Sequence, residues 1–146
     1  MNEKPNDKAN DKVEKDKSKF DWVTERSACT LPKVFAALRQ EVEADVKTRN
    51  GLRPNLAPYE FSVTEDIDEF RVVLKAKDVQ QSVSFKLEEH LISVRNDSEK
   101  DKVGPMLQVT LTFNDRGECK LHANEQEREL WQVRRMALEE LMFRHQ

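Results

Sequence analysis

The sequence predicts an α+β fold: a two-layer sandwich in which a six-stranded antiparallel meander carries an N-terminal and a C-terminal helix on one face. Three observations predict it. Apolar residues recur every three or four positions between residues 31 and 46, alternate with polar ones between 59 and 123, and return to helical spacing after residue 130. Elements that are apolar on one side only are stable when those sides share one core. The predicted order along the chain is therefore α-β6-α.

A charged segment precedes these elements. Residues 1–19 contain six lysines and five acidic residues, and apart from Met1 their one sizeable apolar side chain is Val13. Such a composition buries too little apolar surface to offset the entropy lost on ordering. We therefore expect a disordered charged tail over residues 1–19 and a single α+β domain over residues 20–146.

The first helix is predicted to begin after Thr30 and to end at Asn50-Gly51. Threonine is a favourable N-cap residue, and glycine is common where a helix stops. The apolar residues between these points share one stripe of the helical wheel: Leu31, Val34, Phe35, Leu38, Val42 and Val46. Just ahead of the helix, Phe20, Trp22 and Val23 are expected to dock on the domain as an irregular or one-turn segment.

The six strands are predicted from a period of two, which places every second side chain on the same face of a sheet. Asn114 to Gly117 reads as a hairpin turn, and residues 96–105 as a loop. The alternating segments are residues 59–63, 70–76, 83–87, 92–94, 107–113 and 119–123.

The second helix is predicted to begin at Asn124, with Glu127 completing a capping box. Its apolar face is wide and continues nearly to the C-terminus. That face is expected to consist of Leu130, Trp131, Val133, Ala137, Leu138, Leu141 and Met142.

Motifs for catalysis and for metal binding are missing from the sequence. Three glycines cannot form a glycine-rich phosphate loop, and the histidines are widely separated. Cys29 and Cys119 fit no metal or redox spacing, so we expect two free thiols, Cys119 as a buried apolar group and Cys29 beside a helix N-terminus. We expect neither a cofactor nor a metal, and no enzyme.

Membrane and nucleic-acid partners are also disfavoured. No stretch approaches the ~20 apolar residues of a membrane span, and the N-terminal residues lack the apolar core of a signal peptide. We therefore expect a soluble cytoplasmic protein. Every strand aromatic falls on the apolar face, which leaves nothing on the open face for bases to stack on.

Two charges interrupt the apolar stripes of the helices. Asp45 lies within the stripe of the first helix, and Arg134 lies in the middle of the apolar face of the second. Because a lone buried charge is very costly, one hypothesis pairs the two across the helices. Two alternatives stay open: Arg134 extends along its stem to water while Asp45 sits at the edge, or Arg134 receives the anionic end of a small ligand.

Met136 and Phe143 form a second irregularity, since they are seven residues apart on the outer side of the second helix. This spacing indicates a contact with another chain, and isolated surface apolar residues are the alternative. We expect a non-catalytic interaction or structural module that could self-associate. The alternative is a binder of a small apolar or amphipathic ligand, held in a cavity between sheet and helices; an enzyme using Asp45, Cys29 or His122 ranks last.

Overall fold

Three helices and seven strands occur in the residues that the computed structural model describes, which are 19–98 and 104–144. Of the predicted tail, only Lys19 is among them, and residues 99–103 of the predicted loop lie outside them. None of the described helices combines the length and the apolar character needed to cross a bilayer. The elements are α1 Trp22–Ala28, α2 Leu31–Gly51, β1 Tyr59–Glu65, β2 Glu69–Ala76, β3 Val79–Leu87, β4 Ile92–Asn96, β5 Leu107–Phe113, β6 Cys119–Ala123, β7 Gln126–Arg128 and α3 Leu130–Phe143.

The segment ahead of the long helix is a helix of its own. Asp21 caps α1, because its carboxylate accepts hydrogen bonds from the backbone N–H groups of Val23 at 3.1 Å and Thr24 at 3.3 Å. Trp22, which was expected to dock, is 62% exposed. Phe20 is the residue that docks on the domain. Its ring lies so close to Gly117 that a Cβ atom at position 117 would collide with the ring.

Helix α2 confirms the predicted start and end of the first long helix. Thr30 occupies the N-cap position without a side-chain cap bond, and the helix ends at Gly51. The buried stripe contains Phe35, Leu38, Val42 and Val46, and it continues to Arg49, which the sequence interpretation left out.

The seven strands form one antiparallel sheet in the order β1-β2-β3-β4-β5-β6-β7. The predicted meander is confirmed, and the predicted count of six is wrong by one strand. Asn124 and Glu125 both have positive φ, 51° and 71°, as in a two-residue hairpin turn. The chain therefore folds back, and Ala123 pairs with Gln126 in the added strand β7.

The predicted cap of the second helix is consequently wrong. Asn124 lies in the β6–β7 turn, where its amide accepts a hydrogen bond from Gln108 N at 2.9 Å and donates one to Met106 O at 3.2 Å. Helix α3 instead begins at Leu130, with Glu129 as N-cap and Gln132 completing the capping box. A three-residue strand carries too little pattern to be recognised in the sequence.

One apolar core joins α2, α3 and a single face of the sheet. Its aromatic centre is a chain of rings: Phe35 lies 5.2 Å from Phe70, and Phe70 stacks on Phe85 at 4.6 Å between centroids. The alternative function required a cavity between sheet and helices. The buried side chains of the core lie in that space, and the groove described below is lined by α2, α3 and Leu52.

The two cysteines form a disulfide, so the prediction of two free thiols is wrong. The prediction that Cys119 is buried is also wrong: Cys119 is exposed, and Cys29 is the buried partner. Cys29 lies between α1 and α2, and Cys119 opens β6; their Cα atoms are 5.4 Å apart despite a sequence separation of 90. Sequence spacing cannot reveal such a pair, because folding alone brings the two residues together. Since disulfides are rare in cytosolic proteins, the bond weighs against the reasoning that led to a cytoplasmic location.

Candidate functional site

A groove of about 390 Å³ lies between α2 and α3. The two helices run in the same direction, because Asp45 contacts Arg134 and, further along both helices, Arg49 contacts Met142. The odd number of antiparallel strands between them produces this parallel arrangement. We call this feature the helix groove; it is lined by Asp45, Thr48, Arg49 and Leu52 from the α2 side and by Trp131, Arg134, Arg135, Leu138, Glu139, Met142 and Phe143 from the α3 side.

The structure brings together the two charges that interrupt the helical stripes. Arg134 Nε donates to Asp45 Oδ2 at 2.7 Å, and Arg134 Nη1 lies 2.9 Å from Glu41 Oε2. The Arg134 side chain is 17% exposed, so two carboxylates from one helix neutralise a largely buried cation from the other. With both neighbours anionic, Arg134 is poorly placed to receive a further anion.

Arg49 lies at the other end of the helix groove and is more deeply buried, with 4% exposure. Its Nε donates to the carbonyl of Met142 at 2.8 Å, and its Nη2 lies 3.3 Å from the hydroxyl of Tyr59. Its guanidinium carbon is 5.0 to 5.6 Å from the ring centres of Tyr59, Phe61 and Phe143. Among the described residues no carboxylate lies within 4 Å of Arg49, so its charge is stabilised by a carbonyl at the end of α3 and by aromatic faces.

Large apolar side chains are exposed along the helix groove. Leu52 is 69% exposed, Trp131 50% and Phe143 45%. Trp131 was predicted to belong to the buried face of the second helix, and that prediction is wrong. The residue lies at the edge of the apolar stripe, where it lines the groove instead of the core.

Four of the residues lining the helix groove form one row on α3, which we call the α3 ridge: Trp131, Arg135, Glu139 and Phe143. Their spacing of four residues makes them successive neighbours on a helix surface. Arg135 Nε lies 3.2 Å from Glu139 Oε1, and both of these side chains are more than half exposed. The ridge thus has an aromatic residue at each end and a pair of opposite charges in the middle.

The two predicted interface residues have different positions. Phe143 belongs to the α3 ridge and lines the helix groove. Met136 is 39% exposed and does not line the groove. Both side chains are partly exposed, and their assignment to an interface stays a prediction.

The edge of the sheet nearest to α2 is closed by side chains. Asn50 pairs with the backbone of Phe61 in both directions, accepting from its N–H at 2.9 Å and donating to its carbonyl at 2.8 Å. Arg53 donates to the carbonyl of Tyr59. These bonds occupy backbone groups that an added strand would need. The other edge, β7, is three residues long.

The open face of the sheet is polar, and its central groups are paired. The carboxylate of Asp97 accepts hydrogen bonds from the hydroxyls of Ser82 at 2.8 Å and Ser84 at 3.0 Å. It also lies 3.2 Å from Arg71 Nε. This face therefore differs from the helix groove, which is apolar and open.

The histidines are separated in the structure as they are in the sequence. His122 Nε2 lies 3.0 Å from the Thr112 hydroxyl, His90 Nε2 lies 3.6 Å from Glu89, and His145 lies outside the described residues. Within residues 19–98 and 104–144 no three or more His, Cys, Asp or Glu side chains form a group able to hold a metal ion. The carboxyl pair Glu43 and Glu65 shares a hydrogen bond, which raises the pKa of Glu43.

Arg49, Leu52, Arg135 and Glu139 are groove residues that sequence reasoning missed, whereas Phe143 was among the predicted interface residues. Arg49 follows Val46 by three positions, so the spacing of the α2 stripe could have found it. The i, i+4 row on α3 was equally readable, but the wide apolar face of that helix concealed it. Comparison of the chain with protein-family models, with curated proteins and with solved structures gave no match.

Proposed function

We propose that this chain is a non-catalytic interaction module that binds a protein partner in the helix groove. The observation that carries the proposal is the exposure of Leu52, Trp131 and Phe143 around one groove. Clustered apolar side chains on a soluble domain mark an interaction site, whereas scattered ones do not.

The composition of the groove supports a protein partner. Tryptophan and arginine are enriched among the residues that dominate protein–protein binding energies, especially where they surround an apolar centre. Trp131 and Arg49 flank such a centre here, with Met142 and Leu138 between them in the groove lining. A partner that inserts an apolar side chain would cover these groups.

Other modes of protein binding have less support. Addition of a strand to β1 would have to displace Asn50 and Arg53 from the backbone of Phe61 and Tyr59. The open face of the sheet offers polar groups that already have partners, such as Asp97. Covering the helix groove removes the clustered apolar side chains Leu52, Trp131 and Phe143 from water.

Site-specific photo-cross-linking tests the proposal. A photoreactive phenylalanine analogue is placed at Leu52 and, as a matched control, at Ile67, which is 88% exposed in the β1–β2 turn. In cells expressing the full chain, we expect a cross-linked protein from position 52 and none from position 67. The product should diminish when Trp131→Glu is added. Absence of a protein product at position 52, or equal products at both positions, contradicts the proposal.

A second candidate function is the binding of a small amphipathic carboxylate. It is favoured by one observation, the buried cation Arg49 at the groove without a carboxylate neighbour among the described residues. A volume of about 390 Å³ is also within the range of ligand sites. Titration of a Trp22→Phe variant, in which Trp131 is the one tryptophan, with dodecanoate and with dodecanol discriminates the two functions. Saturable quenching by the carboxylate alone supports this second function.

A further inference from the structure

We propose that the occupant of the helix groove is a second copy of this chain, docked through the α3 ridge with the two α3 helices antiparallel. The inference rests on the proposed function and names its partner. It follows from the order of the four ridge residues: Trp131, Arg135, Glu139 and Phe143 read aromatic, positive, negative, aromatic. This order makes the ridge complementary to itself when one copy is reversed.

A two-fold axis through the middle of the ridge produces that complementarity. The rotation sets Trp131 opposite Phe143 of the second copy, and Arg135 opposite Glu139 of the second copy. Each contact then occurs twice, as in the isologous interfaces of symmetric dimers. Rows of residues spaced by four are also the ridges through which packed helices interlock.

The charges select the orientation. In a parallel alignment Arg135 would face Arg135 of the second copy, and Glu139 would face Glu139, so like charges would meet twice. In the antiparallel alignment both facing pairs are opposite. Like-charge contacts across an interface are strongly unfavourable, so the pattern favours the antiparallel dimer and disfavours the parallel one.

The chain offers no better internal occupant. Residues 1–18 carry many charges and, apart from Met1, the one sizeable apolar side chain Val13. Such a composition supplies little apolar surface to set against Leu52, Trp131 and Phe143, which are all exposed at the groove. A second copy supplies two aromatic side chains and both charges required by the ridge.

Charge reversal along the ridge tests the proposal by sedimentation velocity over a range of protein concentrations. The contact of one helix face per copy is small, below about 1,200 Å², so the wild-type chain should show a concentration-dependent monomer–dimer equilibrium. Arg135→Glu alone, or Glu139→Arg alone, places like charges opposite each other and should raise the dimer Kd by roughly tenfold or more.

Two combinations of these variants should restore association. An equal mixture of the two single variants forms a mixed dimer with opposite charges facing, and the double variant Arg135→Glu/Glu139→Arg regains complementarity within one chain. Both should return the Kd to within about threefold of the wild-type value, since each recreates two opposite pairs. Glu140→Arg is the matched control: Glu140 pairs with Arg144 on the same helix, away from the ridge, and its reversal should leave the Kd unchanged.

The outcomes separate the inference from the proposed function. A strictly monomeric wild-type chain, or a dimer that Arg135→Glu leaves unchanged, overturns the inference. If position 52 nevertheless cross-links a different protein in cells, the proposed function holds with another partner. A product of twice the chain mass at position 52, together with recovery in the mixture, supports both.

Discussion

The two ends of α2 are attached to the sheet in different ways. At the N-terminal end the attachment is covalent, since Cys29 lies two residues ahead of the helix and is bonded to Cys119 of β6. At the C-terminal end it is a cluster of side-chain hydrogen bonds to β1, in which Asn50 bonds the backbone of Phe61 and Arg49 donates to the hydroxyl of Tyr59; Arg49 also bonds the carbonyl of Met142 in α3.

The two kinds of attachment respond to different conditions. A disulfide tolerates changes in the surrounding side chains, but it depends on the redox environment. The hydrogen bonds at the other end persist in oxidising and in reducing conditions, but they depend on where each donor and acceptor lies. Because Arg49 also lines the helix groove, the C-terminal attachment shapes the candidate binding surface and the N-terminal one chiefly limits unfolding.

The largest expected effect is at the covalent end. The double variant Cys29→Ser/Cys119→Ser should lower the free energy of unfolding by about 4 kcal/mol, because the disulfide closes a loop of 90 residues in the unfolded chain. Urea denaturation followed by far-ultraviolet circular dichroism measures the change. Wild-type protein with a reductant should match the variant. If the reductant leaves the urea midpoint of the wild type unchanged, the disulfide does not stabilise the fold as expected.

Loss of the Arg49 cluster should have the second largest effect. Arg49→Met keeps most of the side-chain length but removes the bond to Met142 and the charge over the aromatic rings, so we expect a loss of about 2–3 kcal/mol. Arg49→Lys keeps the charge but lacks the planar group that bonds in two directions. Its free energy of unfolding should therefore lie between those of the wild type and Arg49→Met. The same urea titration serves here. If Arg49→Met is as stable as the wild type, the free energy cost of burying the cation equals the stabilisation that its contacts provide.

Asn50 should contribute less to stability but more to the state of the sheet edge. Asn50→Ala removes both bonds to Phe61 and should cost about 1–2 kcal/mol. It also frees backbone groups of β1, so light scattering of concentrated protein should rise with time. Asn55→Ala, at an exposed asparagine in the connection between α2 and β1, is the control and should change neither quantity. If the two variants behave alike, Asn50 does not contribute to the attachment of α2 to the sheet.

The sequence could predict the body of α2 but not how its ends are attached. The stripe of Phe35, Leu38, Val42 and Val46 is a local pattern, and it gave the helix and its buried side. Cys29 and Cys119 are brought together by the whole fold, so no local pattern contains their bond. Arg49 fell between the two cases: its position on the wheel was readable, whereas its partners, a carbonyl and aromatic faces, have no sequence signature.

The candidate site shows the same division. Asp45 and Arg134 were paired in one hypothesis because each is a charge inside an apolar stripe, which requires a partner. The seventh strand was missed because β7 has three residues and Asn124 is equally suited to a helix cap and to a left-handed turn. That strand reverses the chain before α3, so α3 runs in the same direction as α2, an arrangement that the six-strand prediction did not give.

The smallest expected effect concerns pH and lies between the two ends of α2. The hydrogen bond shared with Glu65 raises the pKa of Glu43, so the folded state holds a proton that the unfolded state releases more readily. The corresponding stabilisation is present at acidic pH and is lost as pH rises through the raised pKa. Glu43→Gln donates a hydrogen bond to Glu65 at every pH. It should therefore raise the melting temperature slightly near pH 7 and lose this advantage near pH 4.

Glu118 is the control of opposite sign, because a hydrogen bond from Asn114 lowers its pKa. Glu118→Gln should lower the melting temperature slightly near neutral pH, and the difference should shrink as pH falls through the lowered pKa. If the two substitutions shift the melting temperature in the same direction at neutral pH, the carboxyl pair beside α2 does not share a proton.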